Sequence, residues 1–480
     1  MGPVDYGRMA FLLASFVALR QLLDMATSSA FFTFLSQKTR SKYFIVFYWR
    51  WVLFQLLLSS ILIALVLPAG IINFVWKDES RILVLLAFLA SFVQGSIWTS
   101  ALQMGEAQRH TVRVQYLTNV IFLVHLIVVL ALIFLDKLAI PLVYIAMIFE
   151  WGIASWVISR VYEGSAEVLS EGKETQDSPK SILREFWVYC SHLIPYAWLS
   201  VFHDFADRWM LQHWGGAKEQ AYYSVAQQLS TIALLATSSI LSIFWKEIAE
   251  AYKQGNYVQM ERFYTKVSRI LFFVATCTAG LFLPWSNEIL QTMLGTSYSN
   301  GVFALMVMFL YPIHQSLGQV GGTMLYATGN TKLRLKLGLW FAPSSLIIAY
   351  FILAPPDAFI GGFGLASEGL AIKMVVVQFI QVNILCWYIA KLFKWRFDFF
   401  YQIVTLVALI SIGFGVNLIT STILKSSISL IIQLGVAFAL YSLSVGLLIY
   451  FFPNLLGITK AELIKMKESG IIKLKQLIRE

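Results

Sequence analysis

Residues 116–160 read YLTNVIFLVHLIVVLALIFLDKLAIPLVYIAMIFEWGIASWVISR. The first part, 116–135, carries no Asp, Glu, Lys or Arg; Asp136-Lys137 interrupts it, and 139–160 is apolar again but for Glu150 and the terminal Arg160. About 20 apolar residues coiled as a helix cross roughly 30 Å of hydrocarbon. Neither run alternates with the period of two that a barrel strand would need. The stretch therefore reads as two membrane-crossing helices joined by a short turn.

The pattern recurs outward in both directions. Thirteen such spans can be placed, the first over 9–35, the sixth over 186–206, the seventh over 220–245 and the last over 428–452. The 480 residues are 58% hydrophobic and only 13% charged, outside the range of a soluble domain. The fold class is an all-α polytopic membrane protein with about 13 transmembrane helices.

The net charge of +10 follows the same alternation. One set of connecting segments holds Lys38, Arg40 and Lys42, then Arg109 and Arg113, and later the cluster Lys246, Lys253, Arg262, Lys266 and Arg269. The opposite segments are nearly bare. Twenty-six basic residues fall on one side and seven on the other, leaving Arg20, Arg50 and Lys373 inside spans. Basic loops stay cytoplasmic, which puts the C-terminus inside and Met1 outside. The charge is topology, so no nucleic-acid partner is expected.

The polar stretch VYEGSAEVLSEGKETQDSPKSILRE, at 161–185, reads as a cytoplasmic linker. The expected organisation is an N-terminal bundle over 1–160, the linker, a second bundle over 186–390, two extra transmembrane helices over 391–452 and a basic cytoplasmic tail over 453–480. Residues 246–266 and the tail read as amphipathic surface helices. Cys190, Cys277 and Cys386 have neither metal-ligand spacing nor a disulfide framework, so no metal and no cofactor is expected.

The halves echo each other. Tyr6-Gly7-Arg8-Met9-Ala10 with Ala26-Thr27-Ser28-Ser29 parallels Tyr222-Tyr223-Ser224-Val225-Ala226 with Ala236-Thr237-Ser238-Ser239. Their spans lie six apart and run in one direction, as parallel repeats of six-helix bundles require. The turn Gly2-Pro3-Val4-Asp5-Tyr6-Gly7 has no preceding span, so one N-terminal helix of the parent architecture is expected to be missing.

Several motifs resemble the polysaccharide-transport family of lipid-linked oligosaccharide flippases, which includes the O-antigen and other repeat-unit flippases. That family sits in a larger superfamily with multidrug exporters and the lipid II flippase. GPVDYG followed by LLDMATSSAFFTFLSQ (22–37) resembles its first turn and second helix, although Ala26 replaces the usual small residue or glycine. DRWMLQHWGGAKEQAYYSVAQQL (207–229) resembles its Asp-Arg motif, LYATGNTKLRL (325–335) its Ala-Thr-Gly-x-Thr corner, and GGFGLASEGLA (361–371) the Gly-rich start of a helix. The resemblance implies a flippase for an isoprenoid-pyrophosphate-linked glycan, acting in a bacterial or archaeal cytoplasmic membrane. Lipopolysaccharide or other polysaccharide assembly would be its setting, with membrane lipids and glycan polymerase machinery as partners.

Moving an anionic headgroup through hydrocarbon requires a hydrated cavity and cations to bind phosphate. A charge within a span costs about 2.5–3.5 kcal/mol on insertion scales, so intramembrane ions are the candidates. Arg20, mid-span, can grip phosphate bidentately or pair with Asp24 one turn on. Arg50, between Trp49 and Trp51, either snorkels or joins the cavity. Lys373, near Glu368, presents the same pair of readings. Glu150 is a candidate for proton or sodium coupling, or a packed carboxylate. Asp207 and Arg208 read as an interhelical clamp. His125, His192, His203 and His314 are scattered and read as packing residues. Two rivals remain beside the flippase: a cation-coupled multidrug exporter of the same superfamily, and a membrane enzyme of glycan assembly. The three intramembrane cations favour an anionic cargo, and the short exterior loops disfavour catalysis.

Overall fold

A computed structural model describes the chain apart from residues 38–39, 78, 109, 168–177, 192, 235–236, 425–428 and 463–480. Every regular element among the described residues is helical. That is the economical solution for backbone in hydrocarbon, where each amide must find its partner inside its own segment. Among the described residues nine helices are long and apolar enough to cross a membrane, and two helix pairs bent at a short break meet the same test when each is taken together. The remaining two expected spans, 186–206 and 220–245, are each divided between two shorter helices.

The chain separates into two compact units, Met1–Ala221 and Tyr222–Glu480. In the first, α1 (Pro3–Asp24) and α2 (Thr27–Gln37) form one bent span. They are followed by α3 (Lys42–Ile61), α4 (Ala69–Val75), α5 (Arg81–Phe92), α6 (Trp98–Ala107), α7 (Thr111–Phe134) and α8 (Ile140–Glu167). Helices α9 (Pro179–Cys190), α10 (Ile194–Met210) and α11 (Gly216–Thr231) come next, the unit boundary falling inside α11. α9 packs on α2, and α10 packs on α1. The helices expected to open the second bundle at 186 thus belong with the first unit. Of the linker over 161–185, residues 168–177 lie outside the described residues, as do residues 463–480 of the tail.

Three π-helical turns, Leu62–Val66, Val93–Ile97 and Leu211–Gly215, interrupt the first unit's helices. Two bidentate ion pairs hold its corners. Arg8 donates to both oxygens of Glu79 at 2.7 and 2.8 Å, tying α1 to the loop before α5. Arg40 donates to Glu185 at 2.8 and 2.6 Å, its guanidinium lying over the rings of Phe34 and Phe44. Planar fork-to-carboxylate pairing fixes both distance and orientation.

The second unit contains α12 (Thr237–Lys253), α13 (Tyr257–Phe282), α14 (Ser286–Leu294), α15 (Val302–Met308), α16 (Tyr311–Ala327), α17 (Thr331–Leu353), α18 (Ala366–Phe393), α19 (Phe399–Ile423) and α20 (Leu430–Phe451). Residues 246–266 are the adjoining ends of two long helices rather than two short surface ones. Gly255, at φ 69°, supplies the corner, and the Asn256 side chain accepts from Gln259 N–H to start α13. α13 lies against α16 and α19. At the α13–α19 crossing, Gly280 and Gly413 bring backbone against backbone: a Cβ on either would strike the partner helix. Small residues at such crossings let transmembrane helices approach closely enough for dispersion to hold them. Cys190 and Cys386 are buried and Cys277 is half-buried, all three free.

Candidate functional site

The break between α1 and α2 organises the polar residues of the first span. Met25 and Ala26 adopt left-handed φ angles of 48° and 61°, and the chain bends by 62°. Asp24 then caps the new helix. Its carboxylate accepts from Ser28 N–H at 3.0 Å, Ser28 Oγ at 2.9 Å and Thr27 Oγ1 at 3.2 Å. An anion at a helix N-terminus satisfies free amides and complements the macrodipole. Gln55 Nε2 donates to the Leu23 carbonyl, which the end of α1 leaves open. Asp24 is thereby committed to the bend.

Arg20 sits one turn earlier. Its guanidinium fills the space that a side chain at residue 95 would take, and that residue is Gly95, within the π-helical turn 93–97. Among the described residues no carboxylate lies within ion-pair distance of Arg20; Asp24 acts on it only through its field. One guanidinium nitrogen, Nη1, is buried without a hydrogen-bond partner. Buried donors are nearly always satisfied, so an unspent one on a cation marks a position that gains from an incoming acceptor.

The other candidates are separately placed. Arg50 is exposed on α3, with no ion-pair partner among the described residues. Glu150, on α8, accepts from or donates to His125 Nδ1 of α7 at 2.7 Å, while its Oε1 is buried without a partner. This pair joins the two helices of the opening stretch. Asp207 is buried in the last turn of α10 and Arg208 half-buried beside it, both engaged by neighbours. Lys373, on α18 of the second unit, is only 1% exposed and is likewise engaged. Glu368 is exposed in the first turn of the same helix. Among the described residues no His, Cys, Asp and Glu side chains cluster so as to hold a metal ion.

Sequence reasoning missed the gap opposite Arg20. A glycine inside an apolar helical pattern, as at Gly95, was the available signal. It also left Glu150 without its partner, because His125 lies 25 residues away in another span.

No family model matches the chain. A capsular polysaccharide biosynthesis protein, CapF, of Staphylococcus aureus is 22% identical over 175 residues, spanning 36% of this chain and 42% of that protein. The chain thus covers less than half the length of this relative. Among solved structures, a lipid II flippase, MurJ, in an inward closed conformation superposes with a TM-score of 0.63 at 12% identity, covering 93% of each chain. An inward-facing multidrug-resistance MATE transporter of the MOP superfamily superposes at 0.57, with 13% identity over 85% of this chain and 92% of its own, so the chain shares the fold of both structures.

Proposed function

We propose that the chain is a transporter that flips an isoprenoid-pyrophosphate-linked oligosaccharide or polysaccharide repeat unit from the cytoplasmic to the outer leaflet by alternating access. It does so as a multi-pass protein of the cytoplasmic membrane with its C-terminus inside. The observation that carries the reading is Arg20: a guanidinium within a span, its neighbouring carboxylate committed elsewhere, and one buried donor unspent. A phosphate oxygen satisfies that donor and the charge together, whereas a cationic cargo is repelled. The likeness to a lipid II flippase and to a capsular polysaccharide protein supports a lipid-linked glycan as cargo. Arg50, in the same unit, is assigned to the same cargo as an additional cationic contact, Asp207 and Arg208 to a structural clamp, and Lys373, buried and engaged in the second unit, to a paired lysine.

The second reading is a cation-coupled multidrug exporter. It draws on the half-satisfied Glu150 beside His125 and on the likeness to a MATE transporter. Export of lipid-linked glycan in cells relying on this chain separates the two. Arg20→Ala is expected to lower glycan export about tenfold or more, the worth of one charge-assisted contact, with Arg20→Lys recovering part of it. Undiminished glycan export in Arg20→Ala, or drug efflux that Glu150→Gln abolishes, would overturn the flippase reading.

A further inference from the structure

A small cleft of about 50 Å³, open at its mouth, lies between the early turns of α13, the end of α18 and the start of α19, entirely within the second unit. Its walls include Tyr264, Ser268, Arg269, Trp395, Arg396 and Gln402. α18 stops because Lys394 turns left-handed (φ 59°) and Trp395 N–H bonds back to the Ala390 carbonyl. The chain then folds residues 395–398 over the cleft before α19 begins.

The two arginines in its wall are differently occupied. Arg269 is spent: it donates to the Asp398 carboxylate and to the Asn454 carbonyl at 2.9 Å, and lies over the Tyr401 ring. Arg396 is exposed and has no ion-pair partner among the described residues. Arg269 and Asp398 balance, so the cleft keeps one uncompensated positive charge. At its inner end Gln402 is 6% exposed and lies beside the His314 side chain, and no hydrogen bond of good geometry reaches its Oε1. Such an amide offers an acceptor to a hydroxyl or, turned over, a donor to a phosphate oxygen. From the same end of α19 run the exposed apolar side chains Phe400, Ile403, Val404 and Val407, a strip suited to hydrocarbon.

We propose that this cleft binds the phosphate headgroup of an anionic phospholipid, with Arg396 gripping the phosphate, Gln402 receiving a headgroup hydroxyl and the lipid tails lying along α19. Basic pockets between helices at a membrane edge are suited to such heads. The site is separate from Arg20 and does not depend on what the protein transports.

Native mass spectrometry of the full chain in detergent tests this, with four probes: phosphatidylglycerol, phosphatidylcholine, farnesyl pyrophosphate and inorganic phosphate. Phosphatidylglycerol is expected to be retained about fivefold better than phosphatidylcholine, the worth of about one interfacial cation. Arg396→Ala should remove that preference, Arg396→Lys should keep most of it, and Gln402→Leu should weaken retention about twofold or more. Equal retention of the two lipids, or an unchanged preference in Arg396→Ala, would overturn the proposal. Displacement of phosphatidylglycerol by farnesyl pyrophosphate would assign the cleft to an isoprenoid cargo instead. Displacement by inorganic phosphate at similar concentration would leave a simple anion site and overturn the lipid assignment. Arg20→Ala should leave lipid retention unchanged, so a failed flippase reading is distinguishable from a failed cleft.

Discussion

Arg20 and Gly95 form a unit of two residues: one supplies a cation, the other the absence of a side chain that gives it room. A methyl group at 95 would meet the far end of a flexible side chain, so the guanidinium must move while the backbone need not. Alanine also favours helix over glycine by up to about 1 kcal/mol. Gly95→Ala is therefore expected to leave the melting temperature of the purified protein unchanged or raised while transport falls about tenfold. A lowered melting temperature with full transport would show that the gap serves packing alone. The cation itself was legible in the sequence, since an arginine inside a long, mostly apolar span is conspicuous. Its surroundings were not: helical spacing left a pair with Asp24 open beside a phosphate grip, and only the left-handed Met25 and Ala26 turn Asp24 to capping α2.

At the scale of elements, hydropathy located most spans because an apolar run needs no tertiary information to be recognised. It failed where a span is assembled from pieces. α10 and α11 are short, and the packing of α10 on α1 follows from surface complementarity that no single-span reading contains. The α13–α19 crossing is a second case, since the sequence does not say that Gly280 and Gly413 face each other. Gly413→Val would push a branched side chain into the α13 backbone. Overpacking of this kind costs about 1–3 kcal/mol, so thermal unfolding in detergent should occur at lower temperature, and Gly413→Ala should lie between. An unchanged midpoint in the valine variant would mean that α19 is not held at this crossing.

Across the whole molecule, the alternation of charge predicts which end of each span faces the cytoplasm, and one contact near the chain's end offers a reading of that side. Glu462 accepts from the Thr459 N–H at 2.8 Å and from Lys266 Nζ at 3.0 Å, which hold its carboxyl down to about 2. A depressed carboxyl favours the contact above its ordinary value of 4.5 and loses it as pH falls toward about 2. A nitroxide placed at Lys460 should keep one mobility from pH 7 to 5 and loosen progressively below that. Glu462→Gln should be loose throughout, and equal pH responses in both would sever the contact from the effect. Attaching such reporters needs a thiol, and here the placement of the native cysteines matters. Cys190 and Cys386 are enclosed and Cys277 is partly so. A membrane-impermeant maleimide should thus find little to react with in the native chain. Each engineered surface cysteine would then report its own side of the bilayer against a quiet background, with no need to strip out the natural three.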